Sequence, residues 1–154
     1  AVVVTQLDKQ TVEVQLANNH RIKVSIDHVE QRSNRQSYDE QHDLVGMDVL
    51  NEAEIFTALR SRYLQGRQIY TLMGQTLIAV NPYHHLEIYG DGFIRKYRNL
   101  PRTSDKGVPH VYEIARQAEG SLKEDLRSQA ILITGESGAG KTETLKYLVE
   151  YLCY

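Results

Sequence analysis

Three short runs rich in valine and isoleucine open the chain, at 2–4, 12–16 and 22–26, and apolar residues alternate with polar ones in the last two. Aspartate and asparagine residues between the runs favour turns. This period of two predicts three short strands with one buried face. We expect them to form an incomplete β meander over residues 1–32, followed by a polar surface connector at 33–45.

The apolar pattern changes to helical spacing after residue 50. Asn51 predicts an N-cap, and Glu54 three residues later completes a capping box. Gly66 is predicted to be the residue just beyond the end of this helix, where glycine is favoured. The apolar positions that share one face of the helix are Ile55, Leu59 and Tyr63.

Two strand-like runs and a second helix follow. The runs at 69–73 and 75–80 flank Gly74, and Pro82 limits the second run because proline cannot donate to a β-ladder. Pro109 begins a helix, since proline is favoured in the first helical turn. The apolar residues of this helix are spaced three and four apart, at Val111, Ile114, Ala115, Ala118, Leu122 and Leu126.

The last part of the chain combines a strand pattern, a glycine-rich loop and a helix pattern. The apolar run at 130–134 is short enough for one buried strand. Beyond the loop, an apolar stripe at helical spacing is formed by Leu145, Leu148, Val149 and Leu152. This order predicts an α/β fold, in which a βα unit contributes its strand to a parallel or mixed sheet. Open sheets of this kind bind ligands at the carboxyl ends of their strands.

The loop between these two elements has the complete pattern GxxxxGK[ST] of a phosphate-binding loop (P-loop). Its glycines lack a Cβ atom, so the backbone can turn its N–H groups inward around an anion. The helix that follows presents unpaired N–H groups and the positive end of its dipole to the same anion. The predicted phosphate-binding residues are Gly135, Glu136, Ser137, Gly138, Ala139, Gly140, Lys141 and Thr142.

Two side chains complete the chemistry of a nucleotide site. Lys141 supplies a mobile positive charge that can reach β- and γ-phosphate oxygens. The hydroxyl of Thr142 lies at the start of the helix, where it can ligand a Mg²⁺ ion that bridges those oxygens. We therefore predict a site for a nucleoside triphosphate with Mg²⁺.

Composition agrees with a globular protein and indicates its cellular compartment. The 154 residues are 41% hydrophobic and 25% charged, with a formal net charge of −2, as expected of a domain with a real core. A single cysteine, Cys153, excludes an internal disulfide and favours a reducing compartment. No apolar run approaches the about 18 residues needed to span a bilayer. We expect a cytoplasmic protein that does not insert into membranes.

A basic cluster lies within residues 90–108 and consists of Arg95, Lys96, Arg98, Arg102 and Lys106. Basic side chains beside an aromatic residue such as Tyr97 can bind nucleic acid. We interpret the cluster as a solvated loop or helix face, because the net charge of the chain gives no bias toward polyanions. We therefore predict no nucleic-acid partner.

The loop sequence resembles the phosphate loop of the myosin motor domain, including the residues between the fixed positions. Further similarities follow in the family's order. Residues 50–63 resemble its LNE…LR.RY helix, 69–83 its IYT…AVNPY strands, and 109–115 its PHIFAIA helix. Residues 1–30 are similar to part of the small SH3-like barrel in front of many myosin motors. The resemblance identifies 46–154 as the N-terminal part of a myosin-type motor domain.

This resemblance implies a cytoskeletal motor that hydrolyses Mg-ATP and moves on actin filaments, and whose full protein can carry light chains or calmodulin. By the same resemblance, Ser137 lies near the γ-phosphate, Lys141 on the β/γ oxygens and Thr142 on Mg²⁺. The residues implied for the adenine side are Asn81, Pro82, Tyr83 and Tyr89. Of these, Tyr89 can stack on the purine and Asn81 can read its polar edge.

The adenine side also departs from the family, which commonly has basic residues and a proline where this chain has His84, His85 and Glu87. Histidine carries only part of a positive charge near pH 7. Glu87 adds a negative charge close to the expected nucleotide. We expect these departures to alter nucleotide affinity or base preference.

The two switch segments that complete ATP hydrolysis in myosins do not occur in this sequence, so beyond Lys141 no catalytic residue is predicted. We expect the chain alone to bind nucleotide without hydrolysing it. It begins at Ala1 and ends at Tyr154 within a helical pattern, which indicates a piece of a longer protein. Two alternatives stay open: another P-loop enzyme, such as a kinase or a kinesin-like motor, and a non-catalytic nucleotide-binding or interaction module.

Overall fold

The structure is a computed structural model in which the chain divides into two compact units, Ala1–Asn34 and Arg35–Tyr154. The residues that it describes are 2–30, 33, 38, 40–101 and 108–154. Part of the predicted connector at 33–45 and two members of the basic cluster, Arg102 and Lys106, lie outside the described residues.

The first unit is an antiparallel sheet of three strands, β1 (Val2–Gln6), β2 (Thr11–Gln15) and β3 (Arg21–Ser25), in the order β1-β2-β3. Alternation decides which side of β2 is buried, because Val12 and Val14 are buried while the other three residues of the strand are half-buried. The predicted meander is thus confirmed. The likeness to an SH3-like barrel stays a prediction, since three strands do not close a barrel.

The second unit begins with buried residues that the polar pattern around them concealed. Tyr38 and Leu44 are buried, and together with Met47 and Ala58 they form a small apolar cluster. The hydroxyl of Tyr38 donates a hydrogen bond to the buried carboxylate of Glu54. Interpreting this stretch as surface was therefore wrong for Tyr38 and Leu44, because a single apolar residue in a polar stretch leaves no periodic signal.

Helix α1 (Glu52–Leu64) begins as its capping residue predicts. The Asn51 side chain accepts a hydrogen bond from the Glu54 N–H at 2.9 Å, which confirms the N-cap. The helix also ends as predicted, because Gln65 is its C-cap and Gly66 is the next residue, whose N–H donates to the carbonyl of Arg62 at 3.1 Å. The left-handed residue follows at Arg67, with φ of 50°.

Arg62 ties α1 to the strand that follows. Its fully buried guanidinium donates to the hydroxyl of Thr71 at 2.9 Å and to the carbonyl of Tyr70 at 3.1 Å. A buried charge needs such partners, because an ion taken out of water without them is strongly destabilising.

The predicted pair of strands around Gly74 forms a hairpin of β4 (Tyr70–Met73) and β5 (Thr76–Ala79). The turn has two residues, and Gly74 takes a φ of +64°, which favours glycine. The N–H of Gly74 donates to the carboxylate of Asp43 at 2.9 Å, which fixes the turn against the preceding segment.

Three helices complete the second unit: α2 (Asp91–Arg98), α3 (Val111–Asp125) and α4 (Lys141–Cys153). The N-cap of α3 is His110, one residue after Pro109, and its Nδ1 accepts from the Tyr112 N–H at 3.1 Å. Its Nε2 lies 3.0 Å from the Ile88 carbonyl and donates to it. Burial lowers the pKa of His110 to about 4, so the ring stays neutral and can hold both bonds.

The helices and the hairpin share one core rich in tyrosine, called the aromatic core below. It consists of Ile69, Tyr70, Ile94, Tyr97, Val111, Tyr112, Ala115, Leu148 and Tyr151. The described residues of the basic cluster, Arg95, Lys96 and Arg98, lie on α2 and are exposed. None of the described helices has the length and apolar character to cross a membrane.

The predicted apolar stripe of α4 is wrong in its direction. Leu148 is buried, but Leu145, Val149 and Leu152 are 52%, 48% and 46% exposed. The other buried residue of α4 is Tyr151, which lies on the face that packs against the aromatic core. The predicted stripe missed it because only aliphatic residues were used to define that stripe.

The strand predicted at 130–134 does not form within the described part of the chain. Ile131 and Ile133 pack against the aromatic core while Leu132 is 89% exposed, so the side chains alternate as in a strand. A strand also needs a neighbour to complete its ladder, and no described strand is hydrogen-bonded to this segment. Both sheets in the described residues are antiparallel, and the parallel bridge between Asp43 and Leu72 is isolated, so the predicted parallel or mixed sheet is not confirmed. The combination of strands and helices agrees with an α/β class.

Candidate functional site

The phosphate-loop sequence leads directly into α4, as predicted. Three of its glycines take positive φ angles, 152° at Gly135, 79° at Gly138 and 94° at Gly140. Residues with a side chain rarely adopt such angles. A Cβ atom at Gly135 would also lie 3.1 Å from the Cβ of Ala139. The backbone path of this loop therefore depends on glycine.

The backbone N–H groups of the loop are almost all free. At positions 135–140 only the N–H of Ala139 donates to a carbonyl, that of Glu136 at 3.2 Å, and the others have no hydrogen-bond partner among the described residues. Gly140 is the N-cap of α4 and offers no side-chain cap. Free N–H groups at a helix N-terminus form an anion-binding site, because the helix dipole adds to their partial charges.

Lys141 spans the loop from its far end. Its Nζ donates to the carbonyls of Gly135 and Glu136, each at 2.8 Å. The ammonium therefore sits at the loop itself, where it can exchange carbonyl oxygens for the oxygens of a bound phosphate.

Thr142 is exposed on the first turn of α4. The neighbouring hydroxyl of Thr144 is committed differently, since it donates to the carbonyl of Gly140 at 3.1 Å. Among the described residues no group of three or more His, Cys, Asp or Glu side chains could hold a metal ion. One hydroxyl fits Mg²⁺ nonetheless, because this ion keeps waters and takes phosphate oxygens as its other ligands.

A cavity of about 100 Å³ adjoins the loop and is called the base-side pocket below. It lies between the segment after β5, the loop and the first turns of α4. The residues that matter for its walls are Asn81, Pro82, His84, Tyr89, Ala139, Gly140, Glu143, Thr144 and Tyr147. Both predicted groups of site residues, the adenine side and the phosphate loop, thus contribute to one cavity.

Tyr89 forms the aromatic wall of this pocket. Its ring stacks on that of Tyr147, with centroids 3.6 Å apart and planes 3° from parallel. Its hydroxyl lies 2.9 Å from the hydroxyl of Tyr70. Burial raises the pKa of Tyr89, so the phenol stays neutral. A purine that stacks on the covered face of Tyr89 has to displace Tyr147.

The structure separates the four residues predicted for the adenine side. Asn81, Pro82 and Tyr89 line the base-side pocket. Tyr83 does not line it, and its side chain is 84% exposed. The φ of 55° at Tyr83 turns the chain outward after Pro82, a left-handed conformation that the NPY sequence does not announce.

Sequence reasoning missed the pocket residues that α4 contributes. Thr144 and Tyr147 line the pocket and lie three and six residues after Lys141. That helical spacing was a usable signal, because positions three or four apart share a face of a helix. Of the three residues that depart from the family, His84 lines the pocket, and its Nδ1 lies 2.7 Å from the Pro82 carbonyl.

A larger groove of about 650 Å³ lies on the other side of the loop. It is bounded by β5, α3 and residues 129–135, and it reaches Lys141. Leu77 of β5 and Leu132 both line it.

Comparisons with known proteins cover nearly the whole chain and agree on one protein family. The sequence matches the family model of the myosin head (motor domain) over residues 41–154. Myosin-14 of Homo sapiens is 37% identical over 147 residues, which cover 95% of this chain and 7% of that protein. Myosin type-2 heavy chain 2 of Schizosaccharomyces pombe is 40% identical over 145 residues, covering 89% and 7%. Unconventional myosin-Ia of Mus musculus is 46% identical over 110 residues, covering 71% and 10%, so the chain spans a tenth or less of these relatives.

Proposed function

This chain belongs to the myosin head (motor domain) family, and from that premise we propose that residues 135–142 bind the triphosphate of Mg-ATP. The observation that carries the proposal is the loop itself, with three glycines at positive φ and free N–H groups ahead of a helix N-terminus. Such a loop favours a multiply charged phosphate over neutral ligands.

In this proposal Lys141 leaves the carbonyls of Gly135 and Glu136 and binds the β- and γ-phosphate oxygens. The exchange is favourable because a charged oxygen accepts a stronger hydrogen bond than a carbonyl does. Ser137 lies near the γ-phosphate, and the hydroxyl of Thr142 ligands the ion. Bound Mg²⁺ neutralises charge on the phosphates.

We assign the base of the nucleotide to the base-side pocket. Pro82, Tyr89 and Tyr147 offer apolar surface for a purine, and the pocket adjoins the phosphate loop at Ala139 and Gly140. A nucleotide whose base lies there can place its phosphates on the loop without crossing another element.

For the full protein we propose ATP hydrolysis coupled to movement on actin filaments in the cytoplasm, with light chains or calmodulin among its partners. Family membership supports this proposal and argues against the kinase and kinesin-like alternatives. Hydrolysis needs groups that orient water and answer the γ-phosphate charge. We place those groups outside residues 1–154.

Replacing Lys141 by alanine tests the phosphate site. In a polypeptide that contains all 154 residues, we expect Lys141→Ala to weaken Mg-ATP binding at least about 30-fold, since hydrogen bonds to charged groups are worth about 1.5–3 kcal/mol each. Isothermal titration calorimetry measures the affinity.

The matched control is Lys123→Ala, which removes an exposed lysine of α3 that pairs with Glu119. It should leave Mg-ATP affinity unchanged. Circular dichroism must show that both variants fold like the parent chain. Parental affinity in a folded Lys141→Ala variant would contradict the proposed function.

A further inference from the structure

Asn81 joins the two halves of the proposed nucleotide site. Its Nδ2 donates to the carbonyl of Gly138 at 2.8 Å, across 57 positions of sequence. Its Oδ1 accepts from the N–H of Tyr83 at 2.9 Å. Both ends of the amide are therefore already engaged, one by the phosphate loop and one by the turn after Pro82.

The bond to Gly138 matters because of what an anion requires of the loop. N–H groups must point toward the phosphates and carbonyls away from them, since a carbonyl oxygen carries partial negative charge. Ahead of the N-cap Gly140, three carbonyls of the described loop have side-chain donors: those of Gly135 and Glu136 from Lys141, and that of Gly138 from Asn81.

These two donors differ in what a bound triphosphate does to them. Lys141 is proposed to leave its carbonyls for phosphate oxygens. Asn81 has a short side chain that is fixed at its other end by the N–H of Tyr83. It also packs beside the end of the loop, since a Cβ atom on Gly140 would lie 3.8 Å from its Cγ. Of these two donors, only Asn81 keeps its bond to the loop both before and after a phosphate arrives.

We propose that Asn81 is a positioning residue for the phosphate loop and that it supports phosphate binding and not recognition of the base. This inference rests on the proposed function and deepens it. It replaces the expectation that the Asn81 amide reads the polar edge of the purine, because the nitrogen and the oxygen of that amide are each already bonded within the protein.

The test compares two ligands that share phosphates and differ in the base, Mg-ATP and inorganic tripolyphosphate with Mg²⁺. In a polypeptide with all 154 residues, we expect Asn81→Ala to weaken both by the same factor, about three- to tenfold, the worth of one hydrogen bond. A loss confined to ATP, with tripolyphosphate unaffected, would show that Asn81 reads the base and would overturn the inference.

Asn81→Ser separates the two bonds of the amide. Serine keeps a short side-chain oxygen that can accept from the Tyr83 N–H, but it cannot reach the Gly138 carbonyl. We expect it to bind both ligands as weakly as Asn81→Ala does. Recovery of the parental affinities in Asn81→Ser would mean that the turn, and not the loop, needs Asn81, and the inference would fail.

A measurement without ligand completes the design. Amide hydrogen exchange at Ala139, whose N–H donates to the Glu136 carbonyl next to the Asn81 contact, should be faster in both Asn81 variants than in the parent, and unchanged exchange would count against the inference. Lys141→Ala tells the two ideas apart. If it leaves both ligands bound at parental affinity, the proposed function fails; if it weakens both while Asn81→Ala weakens neither, only the role of Asn81 fails.

Discussion

The β4–β5 hairpin and the segment 130–134 have similar strand-like sequences, but only the hairpin forms a β-ladder in the described part of the chain. In the hairpin, Tyr70 pairs with Ala79 and Met73 with Thr76, so the ladder closes within ten positions of sequence. The segment 130–134 contains isoleucine, leucine and threonine, residue types that suit a strand equally well. It makes no ladder with any strand in the described part of the chain.

Side-chain burial in 130–134 nevertheless follows a strand pattern. Ile131 and Ile133 face the aromatic core and Leu132 faces away. The groove beside the segment is open, and β5 forms its opposite wall. Residues 130–134 thus have the alternation of a strand and lack the hydrogen-bonded neighbour of one.

The difference teaches what a period of two can predict. It reports that a segment can bury one face, which is a property of the segment alone. Whether a ladder forms depends on a second segment. In the hairpin that segment is adjacent in sequence. Pairing with a distant segment costs chain entropy, and tertiary contacts elsewhere in the fold have to offset that cost.

The largest expected effect lies in the hairpin, at Leu72, which is 3% exposed. Leu72→Ala should lower the free energy of unfolding by about 2–5 kcal/mol, because a buried cavity adds to the lost transfer free energy. Urea unfolding followed by tyrosine fluorescence measures it. The probe is specific, since all ten tyrosines lie beyond residue 34 and the chain has no tryptophan. A loss of less than about 1 kcal/mol in the free energy of unfolding would mean that Leu72 is not tightly packed in the hairpin.

A smaller effect is expected at the turn that makes the hairpin local. Gly74→Ala should cost about 1–2 kcal/mol, because alanine is strained at a φ of +64°. Crowding does not contribute, since the nearest atom to a new Cβ is 3.7 Å away. The control is Gly92→Ala in α2, where the new Cβ meets nothing within 4 Å. It should leave stability unchanged or raise it by about 0.5 kcal/mol; equal costs for both variants in urea unfolding would contradict the explanation.

The same distinction explains which elements could be predicted from the sequence. Asn51, Gly74 and the alternation of β2 and β3 gave correct elements because each signal acts over a few neighbouring residues. Tyr38 and Leu44 were missed because their burial depends on distant partners. The inward face of α4 was misplaced because Tyr151 carries it, and tyrosine is equally common on surfaces.

The site divides in the same way. The positive φ angles of the loop follow from its glycines, so the backbone path at 135–140 was predictable. The hydrogen bond from Asn81 to Gly138 joins positions 57 apart, and the stacking of Tyr89 on Tyr147 joins positions slightly further apart. No local pattern specifies either contact. The sequence could name Asn81, Pro82 and Tyr89 beside the pocket, but not which side chains hold one another.

The smallest expected effect is at Leu132, which is 89% exposed, and it tests the comparison most directly. Leu132→Ala in the chain of residues 1–154 should change the free energy of unfolding by less than about 0.5 kcal/mol, because exposed side chains away from special features contribute little. The residue type and the substitution match Leu72→Ala, so the two variants differ only in whether a neighbour covers the side chain. A cost of about 2 kcal/mol or more would place Leu132 inside a packed layer in solution and remove the contrast between the two runs.

Amide exchange gives an independent answer, since the N–H of Leu72 donates to the His42 carbonyl at 2.8 Å and should exchange slowly. The N–H of Leu132 has no partner among the described residues and should exchange quickly.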